Sequence, residues 1–235
     1  MHGSKTAWCH AAKQQAQGDQ MRCIALVNEK GGAGKSTLAI NIASALTRQG
    51  NHVVLVDADP QGTSREWAEM NPPGYPVGFT ELDVVRLDTP ALLRSLKSIS
   101  ADYIIIDTPA KADDVSATAI RLADVALLPL QPSGADMNAV APTVKMIHAK
   151  RELGGAIEAA FLLNCIDDRT TMTRQARAGA WNGYDLPILN AAVADRTVFV
   201  QSYDAGVSVY EMHDPAAIAD IDRVMAELKG LSWVA

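Results

Sequence analysis

The chain has 235 residues, 48% of them hydrophobic, enough for one α/β domain with a substantial buried core. Its three cysteines, Cys9, Cys23 and Cys165, are odd in number and lack C-x-x-C spacing, which argues against a disulfide framework or a structural zinc site. No apolar run approaches the roughly 20 residues of a bilayer span, and a net charge of −6 opposes any uniform attraction to nucleic acid, so a cytoplasmic protein without stable membrane insertion is expected.

Residues 1–20 are polar and carry no signal-peptide core, so they read as a flexible N-terminal extension or leader, with Met21 as the functional start and 21–235 as a single domain. The first apolar run, Cys23–Asn28, predicts a strand; a Gly-rich turn follows, then an amphipathic helix over Thr37–Gln49. Further strands are predicted at His52–Asp57, Tyr103–Asp107, Val125–Leu130, Ala159–Cys165 and Pro187–Ala191, and further helices at Thr89–Ser98, Val115–Leu122, Ala135–Glu152 and Ala216–Lys229. Asn71–Pro76 is a turn-rich surface connection. Strands alternating with helices imply an α/β fold, a mostly parallel twisted sheet with helices on both faces. Polar residues end the apolar runs at Asn28, Asp57, Asp107 and Asn164, so one edge of the sheet is expected to collect the chemistry.

The turn itself reads Lys30-Gly31-Gly32-Ala33-Gly34-Lys35-Ser36-Thr37. A glycine-rich strand-to-helix turn ending in Gly-Lys-Ser leaves backbone N–H groups free to surround phosphate oxygens at a helix N-terminus. This is a P-loop, and the fold is expected to be that of a P-loop NTPase. Lys35 neutralises β- and γ-phosphate charge, Ser36 supplies a hydroxyl to Mg²⁺, and Thr37 lies by the α-phosphate. Carboxylates complete a magnesium shell, because that ion prefers hard oxygen ligands. The spelling departs from the ordinary pattern at Glu29, where glycine is usual, and adds a second lysine, Lys30.

That departure resembles the deviant Walker-A loop of the ParA/MinD family of ATPases. Asp57-Ala58-Asp59-Pro60-Gln61-Gly62 is similar to its D-x-D-P-Q-G segment, Ile104–Ala110 to its Walker-B strand and switch, Val125–Ser133 to a strand with a Pro-Ser loop, and Asp195–Glu211 to the C-terminal block of small ParA proteins. The resemblance runs from about Met21 to Lys229 and points to a small, ParF-like partition ATPase, without room for the helix-turn-helix domain of larger members. It implies a Mg²⁺-dependent hydrolysis of ATP to ADP with weak basal activity. Lys30 is then the signature lysine that reaches a partner's nucleotide across an ATP-bound homodimer, Asp57 lies near Mg²⁺, and Asp59 activates water. Asp107 binds the metal through water, and Asn164 contacts adenine. The catalytic set is Lys30, Lys35 and Asp59; residues 30–37 with Asn164 hold nucleotide; Ser36, Asp57 and Asp107 serve the metal.

The same resemblance implies nucleoid association through non-specific DNA binding, and a ParB-like or cargo-adaptor protein that stimulates hydrolysis. Two acid-free stretches are the candidate DNA contacts: Lys145, Lys150 and Arg151, and then Arg169, Arg174 and Arg177. The cargo is a plasmid, a chromosome or a protein assembly such as a microcompartment. A MinD-like membrane reading requires a basic amphipathic C-terminal helix. Here Ile218, Ile221, Met225 and Leu228 form an apolar stripe, but Asp214, Asp220, Asp222 and Glu227 outnumber Arg223 and Lys229, so core packing is expected instead. Electron transfer through a thiolate cluster is disfavoured, since no cysteine lies between Asp107 and Cys165 and both Cys23 and Cys165 read as small buried side chains.

Overall fold

The computed structural model describes residues 21–235 apart from 74, 76–80, 112–113 and 180–182. The 1–20 extension with Cys9, and Gly74 and Pro76 of the turn-rich connection, lie outside the described residues. In chain order the elements are β1 Arg22–Leu26, α1 Lys35–Arg48, β2 His52–Asp57, α2 Thr63–Glu69, β3 Glu81–Arg86, α3 Pro90–Leu93 continued by a 3₁₀ turn Arg94–Ser98, and β4 Tyr103–Asp107. There follow α4 Asp114–Leu122, β5 Val125–Leu130, α5 Gly134–Ala139, α6 Ala141–Glu152, β6 Glu158–Ile166, α7 Thr171–Arg177, β7 Ile188–Ala194, α8 Thr197–Asp204 and α9 Pro215–Gly230.

The seven strands form one sheet in the order β3-β2-β4-β1-β5-β6-β7, and every pairing is parallel. Parallel crossovers are right-handed, so direction of travel decides which face a helix covers. Steps from β1 toward the β3 edge put α1 and α2 on one face, where Leu38, Ile42, Leu46 and Trp67 join Val224, Met225 and Leu228 of α9. Steps toward the β7 edge put α3 through α7 on the other, with Leu93, Leu96, Val115, Ile120, Met137, Val144 and Ala176. The connections after β1 and β4 therefore leave in opposite directions from neighbouring strands, and this opens the crevice that such sheets use for ligands.

The strand β3 was not predicted. It is an edge strand with one neighbour, in register with β2 from His52↔Glu81 to Asp57↔Arg86, and its charged residues Glu81, Asp83 and Arg86 interrupt the apolar pattern of the inner strands. The predicted helix Ala135–Glu152 is two helices that meet at Val140. Pro142 enforces the break, having no N–H for the carbonyl of Asn138 and a ring that clashes with it. The short helices α2, α7 and α8 also escaped the periodicity reading.

Helix α9 buries Ala217, Ile221, Val224, Met225 and Leu228 against β7 and α1, so the C-terminal stripe is core, as expected, with Ile218 half-buried. Cys23 is buried, which pushes its thiol up to about 12; Cys165 departs from expectation, being half-exposed in a left-handed conformation at φ 52°. No helix among the described residues is long and apolar enough to cross a membrane.

Candidate functional site

Beyond the C-terminal end of β1 the loop is fixed by side chains from neighbouring strands. Asn28 donates its Nδ2 to the Pro129 carbonyl at 2.5 Å and accepts from the Lys30 amide at 2.9 Å. Pro129 is tolerated inside the sheet because it has no N–H to offer on the side where β1 has already turned into loop. Gln131 donates to the Gly32 carbonyl and Asn164 to the Ala33 carbonyl, each at 2.9 Å. With these carbonyls occupied from below, Gly32 and Gly34 adopt φ of 74° and 92°, a region L-residues rarely visit, and the loop opens onto the N-terminus of α1. A Cβ on Gly34 would lie 2.0 Å from Asn164 Nδ2, so only glycine fits there. The side chain read as an adenine contact braces the loop from beneath through one Nδ2 hydrogen bond to Ala33.

Lys35 is buried at 6% exposure and its Nζ lies 3.3 Å from the Lys30 carbonyl. Burial lowers its pKa, against the pull of Asp107 and Asp59, the nearest anions. Asp107 is fully buried at the end of β4. Its Oδ2 accepts from Ser64 at 2.7 Å, whereas its Oδ1 is buried with no partner. Burial pushes this carboxyl up to about 7, opposed by the Ser36 and Ser64 hydroxyls. Ser64, on α2, was not anticipated; the only signal for it was its place just after the Pro-Gln-Gly turn.

Asp57 and Asp59 both accept backbone amides. Asp57 is fully buried and both its oxygens take backbone donors, the Asp59 amide at 3.1 Å and the Arg65 amide at 2.8 Å. It therefore anchors the first turn of α2, whose N-cap Gly62 offers no side chain. Desolvation raises its pKa despite those bonds. Asp59 is half-exposed and accepts from the Gln61 amide at 3.0 Å, shaping the turn above it.

The signature-lysine position has an unforeseen partner. Lys30 Nζ lies 2.6 Å from Asp136 Oδ2, the lysine 37% exposed and the carboxylate fully buried. Asp136 sits three residues beyond Ser133, whose hydroxyl caps α5 by accepting from the Asp136 amide at 3.1 Å. The pattern Ser-Gly-Ala-Asp was a legible capping signal that the sequence reading passed over. Glu29 stands where an ordinary loop has glycine, close enough to the first turn of α6, a helix whose N-cap Val140 offers no side chain, for the Thr143 amide to favour its charged form. Desolvation nonetheless raises its pKa.

The six candidate DNA contacts are not equally available. Lys150 donates to the Ile120 and Ala123 carbonyls at 3.1 and 2.6 Å, closing the C-terminus of α4, and Arg151 donates to the Ile157 carbonyl at 3.2 Å. Arg169 pairs with Asp167 at 2.8 Å and Arg177 with Asp168 at 3.1 Å. Arg174 is exposed and among the described residues its side chain reaches only Thr171, at 3.3 Å, and Lys145 is exposed. Spacing along the chain did not reveal these inward and paired orientations.

The donor set fits a phosphate-bearing ligand with a hard cation. A buried lysine, backbone N–H groups at a helix start and a bare carboxylate oxygen beside a serine supply both charges. Residues 24–229 match the model of the CobQ/CobB/MinD/ParA nucleotide binding domain. The chain is 30% identical over 210 residues to the maintenance of carboxysome distribution protein A of Halothiobacillus neapolitanus, spanning 87% of this chain and 95% of that protein. It is 28% identical over 187 residues to the chromosome-partitioning ATPase Soj of Thermus thermophilus, spanning 68% and 75% respectively. Among solved structures it is similar in fold to an ATP complex of McdA from Cyanothece, with TM-score 0.71 at 19% identity over 90% of this chain and 98% of that one. MinD with Mg-ADP from Pyrococcus horikoshii gives 0.67 at 23% over 91% and 98%.

Proposed function

The chain belongs to the CobQ/CobB/MinD/ParA nucleotide-binding family, and from that premise we propose that it is a ParA-like positioning ATPase that hydrolyses ATP to ADP with Mg²⁺. The observation that carries this reading is that the buried Lys35 of the loop and the buried Asp107, whose Oδ1 has no partner among the described residues, lie at the C-terminal ends of neighbouring strands β1 and β4. Residues 30–37 hold the phosphates, with Thr37 by the α-phosphate and Asn164 bordering the base. Ser36 and Asp107 hold the cation, and Asp57 fixes the segment beside them. When bound, Mg²⁺ neutralises phosphate charge that the protein alone leaves uncompensated. Lys35 disperses charge on the transferred phosphoryl group, and Asp59 orients the attacking water and takes its proton.

Lys30 leaves Asp136 and enters the site of a second protomer, so hydrolysis depends on an ATP-bound homodimer. The dimer holds non-specific DNA through Lys145 and Arg174, with Lys150, Arg151, Arg169 and Arg177 contributing where their present contacts yield. That binding keeps the protein on the nucleoid, and a partner protein that stimulates hydrolysis releases it. Two relatives matched over most of their length are named for carboxysome distribution, which favours a protein assembly as cargo. Partition of a plasmid or chromosome is the second reading, favoured by the likeness to Soj.

Asp59→Ala should still dimerise on ATP but hydrolyse poorly, and Lys30→Ala should bind nucleotide yet lose dimerisation-linked hydrolysis. Gel filtration with ATP, ADP or no nucleotide, beside phosphate-release assays, reads both. Normal hydrolysis by monomeric Lys30→Ala would rule out the trans-acting lysine.

A further inference from the structure

The 3₁₀ turn Arg94–Ser98 and the last turn of α4 face one another across a concavity of about 290 Å³ lined by Arg94, Lys97, Thr118, Arg121 and Leu122. Its shape follows from helix geometry. Residues three apart eclipse on a 3₁₀ turn, so Arg94 and Lys97 line up along one edge. Thr118, Arg121 and Leu122 share one face of α4 by their three- and four-residue spacing. Arg121 is held in place, its Nη2 donating to the Oγ1 of buried Thr118 at 2.8 Å. All three cations are exposed, and among the described residues none of them forms an ion pair.

Three positive charges around one concavity whose described lining contains no acid, in a chain of net charge −6, form an anion-seeking site. The turn leads into the start of β4 and α4 leads into the start of β5, so the concavity lies at the opposite end of the sheet from the phosphate loop. We propose that it is a docking site for an acidic peptide segment of a protein partner, one that presents two or three Asp or Glu side chains around a small apolar residue. The volume seats the apolar residue against Leu122, a contact that a phosphate backbone would not use, while its acidic neighbours meet the exposed Arg94, Lys97 and Arg121 at the rim. An occupant here leaves the nucleotide site free, so this goes beyond the ATPase reading and stands or falls separately from it.

The test is fluorescence anisotropy of a labelled Glu-Asp-Leu-Glu-Asp peptide with the full chain, saturated with ADP and Mg²⁺ so that the loop lysines are screened, at about 20 mM salt. Binding should weaken about tenfold or more in Arg94→Glu/Lys97→Glu/Arg121→Glu, and in the milder triple glutamine variant should fall in the same direction. Arg223→Glu, the same kind of charge change at a residue paired with Asp220 on α9, should bind as the wild type does. ADP affinity should be unchanged in all of them. Equal peptide binding by the triple variants overturns the proposal. So does a wild-type chain that ignores the peptide, or one in which the triple change abolishes duplex DNA binding while peptide binding is absent throughout.

Discussion

Asp136→Asn tests whether the Lys30 ion pair restrains the chain before it assembles. At 2.6 Å and an effective dielectric of 20, the gross attraction is about 6 kcal/mol. Burying the carboxylate costs several kcal/mol of that, and the 37% exposure of Lys30 screens much of the rest, leaving a net restraint on the order of 1 to 2 kcal/mol. Asparagine keeps the shape and the oxygen that faces Ser133 but removes the charge. Each dimer releases two such lysines, about 2 to 4 kcal/mol in all, and since about 1.4 kcal/mol is a factor of ten in an equilibrium constant, the ATP-dependent dimer should form at roughly 30- to 700-fold lower protein concentration. Sedimentation velocity with ATP and the hydrolysis-deficient Asp59→Ala background reads the midpoint directly. An unchanged midpoint would show that the pair holds nothing back, and a higher one would show that Asp136 acts in the assembled state.

Gly34→Ala places a methyl 2.0 Å from Asn164 Nδ2 at φ 92° and should cost about 1 to 3 kcal/mol of stability together with most nucleotide affinity, read by thermal melting and a fluorescent ATP analogue. Gly206→Ala, remote from the site, should cost at least as much stability, because its Cβ would meet the Met70 carbonyl oxygen at 2.3 Å with φ 64°; a melting temperature within a degree of wild type would contradict the packing of α2 against this turn. The metal-free chain should lose stability as pH rises from about 4 to about 7. The folded state keeps a proton on Asp107 up to about 7 whereas the unfolded chain gives its own up near 4, so the unfolded state binds fewer protons across that window. Asp107→Asn should flatten this slope in melts taken at successive pH values.

The phosphate loop was legible because its information is local: glycines that permit positive φ, and a lysine and serine at a fixed offset from a strand. The inner strands were legible because burial on both faces makes them continuously apolar, as in Ile104-Ile105-Ile106. β3 was hidden by its place at the edge, and the Val140 break by a proline whose consequence depends on where the preceding helix begins. Asp107 was found as a strand-end acid, but its bare oxygen and its Ser64 partner depend on how α2 folds back over the sheet. Asp136 lies 106 residues from Lys30, and no pattern of charges along the chain announces a contact at that range. Lys150 reads as a solvated base in sequence and is a helix terminator in three dimensions.

Gln131 and Asn164 hold the phosphate loop's own carbonyls from β5 and β6. Its grip on a nucleotide is consequently adjustable from outside the signature. Two chains with identical glycines and lysines can differ in how long they retain ATP if these two amides differ. How long such a loop keeps its ligand is written partly in the ends of strands outside the motif.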